Sequence, residues 1–201
     1  MRGRSVTRSA GGGFAAGGKD IGRRKHFLFA YMALAARLLV GTVFAASAFS
    51  KLRSRQAFRT FAAWLEGLPL LSRLGRRAAG PLIAAIEVVI VVTVALPWTA
   101  LAGLLLSAAV LAIFTAGTFW VVRAGVRTPC RCFGTSGAPL GVRHGLRNAL
   151  LCAAAAVGAA GARAASARPA GIAISLGCAI VIALLVLFLD DILAVLRVDA
   201  G

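Results

Sequence analysis

Two cysteines separated by a single residue are the part of this sequence with the most specific chemistry. Cys130 and Cys132 lie in a polar stretch, residues 123–145, that separates two long apolar runs. Thiols this close can form a disulfide, exchange it with a partner, or bind a soft metal. Arg131 stands between them, and a neighbouring cation favours the thiolate, which is the reactive form. We therefore treat Cys130 and Cys132 as a candidate redox pair.

The spacing of this pair favours redox chemistry over metal binding. The ring that a C-x-C disulfide closes is tight, so the bond is expected to be labile. Zinc usually has four ligands, and the other two cysteines, Cys152 and Cys178, lie within apolar runs, where cysteine behaves as a small apolar residue. We predict no metal site. We expect Cys152 to pack in the bundle, and a role as second electron acceptor is the less favoured alternative. We expect His144 to be solvated, and a role as proton acceptor is the less favoured alternative.

Two charged residues interrupt the apolar runs. Arg37 lies in the first run and Glu87 in the second. A charge at the bilayer centre costs about 2.5–3.5 kcal/mol on insertion scales, so it usually faces a partner. Counted from the same membrane face, at residue 27 and at Trp98, both lie about 15 Å deep. The sequence predicts a structural intramembrane ion pair between Arg37 and Glu87, with a proton relay as the second interpretation.

The elements that position these residues are apolar helices. Hydrophobic residues make up 60% of the 201-residue chain, and the mean hydropathy is +0.87. They collect in five runs, at residues 27–50, 78–96, 100–122, 146–162 and 170–189. Runs of about 18 residues or more match the thickness of the hydrocarbon core, where backbone groups must be satisfied within the segment. The fold class is therefore all-α, a polytopic membrane helix bundle.

The segments between the runs are short and basic. Residues 1–26 are predicted to be a disordered basic tail, and the length of the run that follows argues against a signal peptide. Residues 51–77 contain an apolar stripe at helical spacing, which predicts a short amphipathic helix in the membrane interface. That stripe comprises Phe58, Phe61, Leu65 and Leu68. Residues 97–99 are short enough to predict a helical hairpin.

The net charge of +17 is best explained by the lipid bilayer as partner. The cations flank the apolar runs, and no segment is long enough to form the basic face of a soluble nucleic-acid-binding domain. We therefore predict no nucleic-acid partner. The positive-inside rule leaves the orientation open, because both ends of the first run carry many cations.

Taken together, these positions resemble a known family. The resemblance rests on Arg37, Gly41, Phe44, Lys51-Leu52, Phe58, Pro81, Glu87, the Cys130-x-Cys132-Phe133-Gly134 element, and Arg147-Asn148. The pattern resembles the membrane protein family of methylamine utilisation protein MauE, related to DoxX-like four-helix proteins. The resemblance covers residues 27–162, and the C-x-C-F-G element is its most specific part.

The resemblance implies a four-helix membrane domain at residues 27–162, related to the vitamin K epoxide reductase-like fold. Residues 163–201 then add a fifth C-terminal transmembrane helix and a short tail. It also implies a multi-pass protein of the bacterial plasma membrane with a cytoplasmic N-terminus and with Cys130 and Cys132 near the outer face. The implied role is maturation of an exported protein, as MauE itself serves the disulfide-rich small subunit of methylamine dehydrogenase.

Two classes of function remain open at this stage. In the first, the chain is a membrane thiol-disulfide oxidoreductase whose partners are an exported disulfide-containing client or a thioredoxin-like protein. Enzymes of the related fold use a C-x-x-C pair and a quinone, so a quinone cofactor is implied by fold analogy alone. In the second, the chain is a non-enzymatic assembly or transport subunit, and its cysteines are structural.

Overall fold

Six α-helices form the part of the chain that a computed structural model describes, which is residues 13–66, 73–124, 142–162 and 169–198. No strand occurs within those ranges. The helices are α1 (Gly13–Leu52), α2 (Arg55–Glu66), α3 (Arg73–Ala95), α4 (Ala100–Arg123), α5 (Val142–Ala160) and α6 (Pro169–Val198). The all-helical fold class predicted from the sequence is confirmed.

Three helices contain stretches long and apolar enough to cross a membrane: Arg24–Leu52, Ala78–Ala95 and Ala100–Trp120. Two further helices carry shorter apolar stretches, Gly145–Ala160 and Gly171–Val186. Many large apolar side chains on these helices face outward, where they would contact the lipid chains of the bilayer. Each of the five predicted runs thus corresponds to a helix, and none extends more than two residues beyond it.

Helix α1 is the centre of the bundle and packs against α3, α5 and α6, while α4 packs against α3 and α5. The core between these helices is built from apolar side chains of α1, α3, α4 and α5. Its most completely buried members include Val40, Ile90, Leu104 and Ala155. Helix α6 contributes Ala183 to the same core from the far side of α1.

The predicted amphipathic helix is α2, and it packs on the bundle. Phe61 and Leu65 are buried against Ala79 at the beginning of the apolar part of α3. The hydroxyl of Ser54 accepts a hydrogen bond from the backbone N–H of Ala57 at 3.0 Å, which caps the start of the helix. The apolar stripe therefore covers α3, and its last predicted member, residue 68, lies outside the described residues.

Glycines allow the helices to approach closely at two places. A Cβ added to Gly103 of α4 would lie 2.6 Å from the hydroxyl of Thr93 and 2.7 Å from the backbone nitrogen of Val94, both on α3. This contact holds the predicted hairpin together. Gly161, directly after α5, lies against Ala33 of α1, and a side chain there would collide with it.

Two predicted boundaries were wrong. Residues 13–26, predicted to be part of a disordered tail, belong to α1. Extending an existing helix fixes one residue for each hydrogen bond gained, so a stable apolar helix can propagate into a polar neighbour. At the other end of the chain, α6 continues past Asp190 and Asp191 to Val198. Carboxylates end an apolar run, but they do not break a helical backbone.

Candidate functional site

A buried cluster of polar side chains lies between α1 and α3. Its members are Ser47 and Lys51 of α1 and Glu87 of α3. The ammonium of Lys51 donates to both carboxylate oxygens of Glu87, at 2.8 and 3.0 Å, and to the hydroxyl of Ser47 at 2.6 Å. The hydroxyl of Ser47 in turn donates to Oε1 of Glu87 at 2.9 Å. The three side chains form one closed network.

The position of Lys51 in its helix explains how its charge reaches the interior. Side chains of an α-helix lean towards its N-terminus, so Lys51 points back over Ser47, one turn earlier. The Lys51 side chain also lies against α2, with its ammonium 5.0 Å from the centre of the Phe61 ring. This distance allows a cation–π contact. A single lysine therefore joins α1, α2 and α3.

Burial makes this ion pair energetically demanding. Lys51 is 3% exposed and Glu87 is 5% exposed, and Glu87 stands in the middle of the apolar stretch Ala78–Ala95. Buried charges must be paired and their remaining donors and acceptors satisfied. Here both carboxylate oxygens of Glu87 accept from Lys51, and Ser47 shares Oε1. The network is built to hold charge in a fixed place between helices.

The partner predicted for Glu87 was Arg37, and this prediction was wrong. Arg37 instead donates from Nε to the carbonyl of Val94, at 2.8 Å, and from its terminal nitrogen to the carbonyl of Ala95, at 3.0 Å. These carbonyls belong to the last turn of α3, where no later residue of the helix can donate to them. The guanidinium thus caps the end of α3.

A difference in helix length explains the error. The predicted equal depth required residue 27 and Trp98 to lie at one level. The apolar stretch of α1 has 29 residues and that of α3 has 18, so α1 continues past the turn that ends α3. Arg37 therefore lies beside Val94, and Glu87 lies about 11 Å further along α3.

The predicted redox pair, Cys130 and Cys132, lies outside the described residues. The helices on either side of it are described: α4 ends at Arg123, which is exposed, and α5 begins at Val142. Arg147, on the second turn of α5, is buried. The end of α4 and the start of α5 are at the end of the bundle that carries α2, because α1 and α4 run towards it and α3 and α5 away from it. The side chain of His144 also lies outside the described part.

The two helical cysteines have different surroundings. The thiol of Cys152 donates to the carbonyl of Ala108 at 3.5 Å, so it packs α5 against α4. Cys178 is exposed on α6, on a surface otherwise lined by large apolar side chains. Within the described ranges, no group of three or more His, Cys, Asp or Glu side chains is arranged to hold a metal ion.

Sequence reasoning missed Ser47 and Lys51. Lys51 follows the first apolar run directly, so it was included in the basic loop of residues 51–77. One signal was available: Ser47 and Lys51 are four residues apart and therefore share a helix face. A lysine one turn beyond a serine, at the end of an apolar run, can direct its charge back into the bundle.

Comparison with known proteins gives one match. The family model described as methylamine utilisation protein MauE matches residues 29–161, well over half of the chain. The match includes all of α2, α3, α4 and α5, and both residues of the buried ion pair. No curated protein and no solved structure matches the chain. The chain therefore belongs to the MauE family, and its apolar helices make it a multi-pass membrane protein.

Proposed function

We propose that this MauE-family protein supports the maturation of an exported protein by thiol-disulfide exchange through Cys130 and Cys132. The observation that carries the proposal is the pair itself, which stands inside the family-matched segment, in the connection between two packed helices. Arg123 and Arg147 flank this connection on the two helices. Arg131, which stands between the two cysteines in the sequence, favours the thiolate, and a connection at the membrane surface would give a client access.

The exchange would proceed in two balanced steps. A thiolate of the client attacks the Cys130–Cys132 disulfide, which forms a mixed disulfide and releases one thiolate of the pair. A second client thiolate then attacks the mixed disulfide, so the client gains a disulfide and the pair becomes a dithiol. Two electrons must afterwards leave the pair for an acceptor. By analogy with the related fold, a membrane quinone is the acceptor class that we propose.

The proposed setting is the bacterial plasma membrane, with the N-terminus in the cytoplasm and the cysteine pair outside. All five apolar helices would cross the bilayer in this arrangement. The client is an exported disulfide-containing protein or a thioredoxin-like protein. The name of the family links it to methylamine utilisation, and a protein of that metabolism is one such client.

Alkylation trapping tests the proposal directly. Cells are quenched with acid, free thiols are alkylated with a mass tag, and the number of tags shows the redox state of the pair. We expect the pair to be a mixture of dithiol and disulfide. We also expect a mixed disulfide with a client, which should disappear in the double variant Cys130→Ser, Cys132→Ser. Cys178→Ser is the matched control, since Cys178 is exposed on α6, outside the family-matched segment. A permanently reduced pair, with fully active serine variants, would reject the proposal.

The alternative is a non-enzymatic assembly or transport subunit. The closed network of Ser47, Lys51 and Glu87 favours it, because a bundle held by satisfied buried charges is a stable scaffold. Under this alternative, the variants of Cys130 and Cys132 keep function, whereas loss of Glu87 lowers the amount of protein in the membrane. The same trapping experiment, combined with protein abundance, separates the two functions.

A further inference from the structure

A notch opens to the outside where α1 turns into α2. It has a volume of about 290 Å³ and is lined by Leu52, Ser54, Arg55, Phe58 and Arg59. Two of these residues are cationic and two are apolar. The notch thus combines a charged part and an apolar part within one small space, and this combination is the starting point of the inference.

The cations of the notch have no carboxylate beside them among the side chains that the structure describes. Arg55 and Arg59 are exposed and stand one helical turn apart, so their guanidinium groups can reach one anion together. Among the side chains that the structure describes, Glu87 is the one carboxylate, and it is bound to Lys51. The described side chains therefore offer no carboxylate to Arg55 and Arg59, and the two guanidinium groups are open to an external anion.

The start of α2 adds to this positive potential. Ser54 caps the helix, and the first backbone N–H groups of α2 carry the partial positive charge of the helix dipole. The polar wall of the notch therefore consists of two guanidinium groups beside a helix N-terminus. Guanidinium groups bind phosphate through paired hydrogen bonds, which makes a phosphate group the matching anion.

The apolar wall lies at the level of the membrane surface. The apolar stretch of α1 ends at Leu52, which is 51% exposed. One turn earlier on the same helix, Phe49 is 70% exposed. An apolar strip therefore leads from the notch along α1 towards the hydrocarbon core. A phosphate ion alone would leave this strip uncovered, whereas the acyl chain of a lipid would cover it.

We propose that the notch is a binding site for an anionic phospholipid. Arg55 and Arg59 hold the phosphate of the headgroup, and an acyl chain follows Leu52 and Phe49. A zwitterionic lipid carries its own ammonium group close to its phosphate, so it gains less from the two guanidinium groups. The site therefore selects phosphatidylglycerol-type lipids over phosphatidylcholine.

Native mass spectrometry of the full-length protein tests this site. The protein is reconstituted in vesicles with equal parts of phosphatidylglycerol and phosphatidylcholine, extracted in a mild detergent, and its retained lipids are counted. We expect phosphatidylglycerol to be retained preferentially. Each cation near the surface contributes about fivefold to such binding, so the double variant Arg55→Gln, Arg59→Gln should lower retention about 25-fold.

The control removes the same charge at the other end of the apolar stretch of α1. Arg24 and Lys25 are exposed but do not line the notch, so Arg24→Gln, Lys25→Gln should lower the retained phosphatidylglycerol much less than Arg55→Gln, Arg59→Gln does. Both double variants change exposed residues, and circular dichroism checks that their helix content is equal. Equal retention in the two variants, or equal retention of the two lipids by the unmodified protein, overturns the proposal. Displacement of the lipid by inorganic phosphate overturns it too, because the notch would then be a simple anion site.

Discussion

At the scale of single residues, Lys51 connects α1 to both α2 and α3. It supplies the charge that allows Glu87 to remain in the middle of an apolar helix. It also touches Phe61 and so joins α2 to the pair formed by α1 and α3. Ser47 completes the network as donor to Glu87 and acceptor from Lys51. Removing any one member leaves the others with unsatisfied groups.

Removal of the lysine charge should therefore destabilise the protein strongly. In Lys51→Met the apolar stem is retained and the ammonium is lost, so Glu87 is left as an uncompensated buried charge. Breaking a buried pair in this way costs about 3–5 kcal/mol. We expect a lower free energy of unfolding in detergent and less protein in the membrane. Lys25→Met is the control, because Lys25 is exposed on the same helix.

The double variant Lys51→Met, Glu87→Leu separates charge from shape. Replacing both members of a buried ion pair by apolar groups of similar volume is often neutral or stabilising. The double variant should therefore recover most of the stability lost by Lys51→Met. A double variant as unstable as the single one would mean that the hydrogen bonds of Ser47 and the contact with Phe61 dominate over the charge.

At the scale of the elements, the hairpin of α3 and α4 depends on a glycine. Gly103 lets the backbone of α4 approach Thr93 and Val94, and an added Cβ would lie within 3 Å of both residues. Gly103→Ala should therefore push the two helices apart and cost about 1–3 kcal/mol, as overpacking of a well-packed interior does. The measurement is the free energy of unfolding in detergent.

The same helix offers the matched control. Gly117 lies about three quarters of the way along α4, and an added Cβ there would meet nothing within 4 Å. Gly117→Ala should be neutral or should stabilise the helix by about 0.5–1 kcal/mol, because alanine loses less conformational freedom on folding than glycine. If the two alanine variants have equal stability, the close approach at Gly103 does not hold the hairpin.

Helices and their turns were the features that the sequence predicted best. Long apolar runs have one stable form in lipid, so α3, α4 and their short connection followed directly from hydropathy. The partners of the buried charged residues could not be predicted from hydropathy. The depth of Arg37 depends on how far α1 extends past α3, and the hydropathy of either helix alone contains no information about their relative shift. Lys51 was missed for a related reason, because hydropathy alone ends the first span before it.

At the scale of the whole molecule, the helix order determines which connections share a membrane face. Helix α1 ends at Leu52 beside α2, α3 runs back to the hairpin at Trp98, and α4 returns to Arg123. Helices α1, α3 and α4 each contain a stretch long enough to span the bilayer. The connection that holds Cys130 should therefore be on the same side as Ser54 and opposite to Trp98, whichever way the bundle is oriented.

Labelling with a membrane-impermeant maleimide tests this arrangement. Three forms each carry one cysteine: native Cys130 alone, Ser54→Cys alone, and Trp98→Cys alone. Ser54 and Trp98 are both exposed in the structure, so accessibility differs only by membrane side. We expect Cys130 and Ser54→Cys to react from one side of intact cells and Trp98→Cys to react only after the cells are opened, or the reverse. If Cys130 reacts together with Trp98→Cys, α4 does not cross the membrane. Such a result would separate the cysteine pair from α2 and from the Lys51 network. The expected result places Cys130, α2 and the notch at one membrane face.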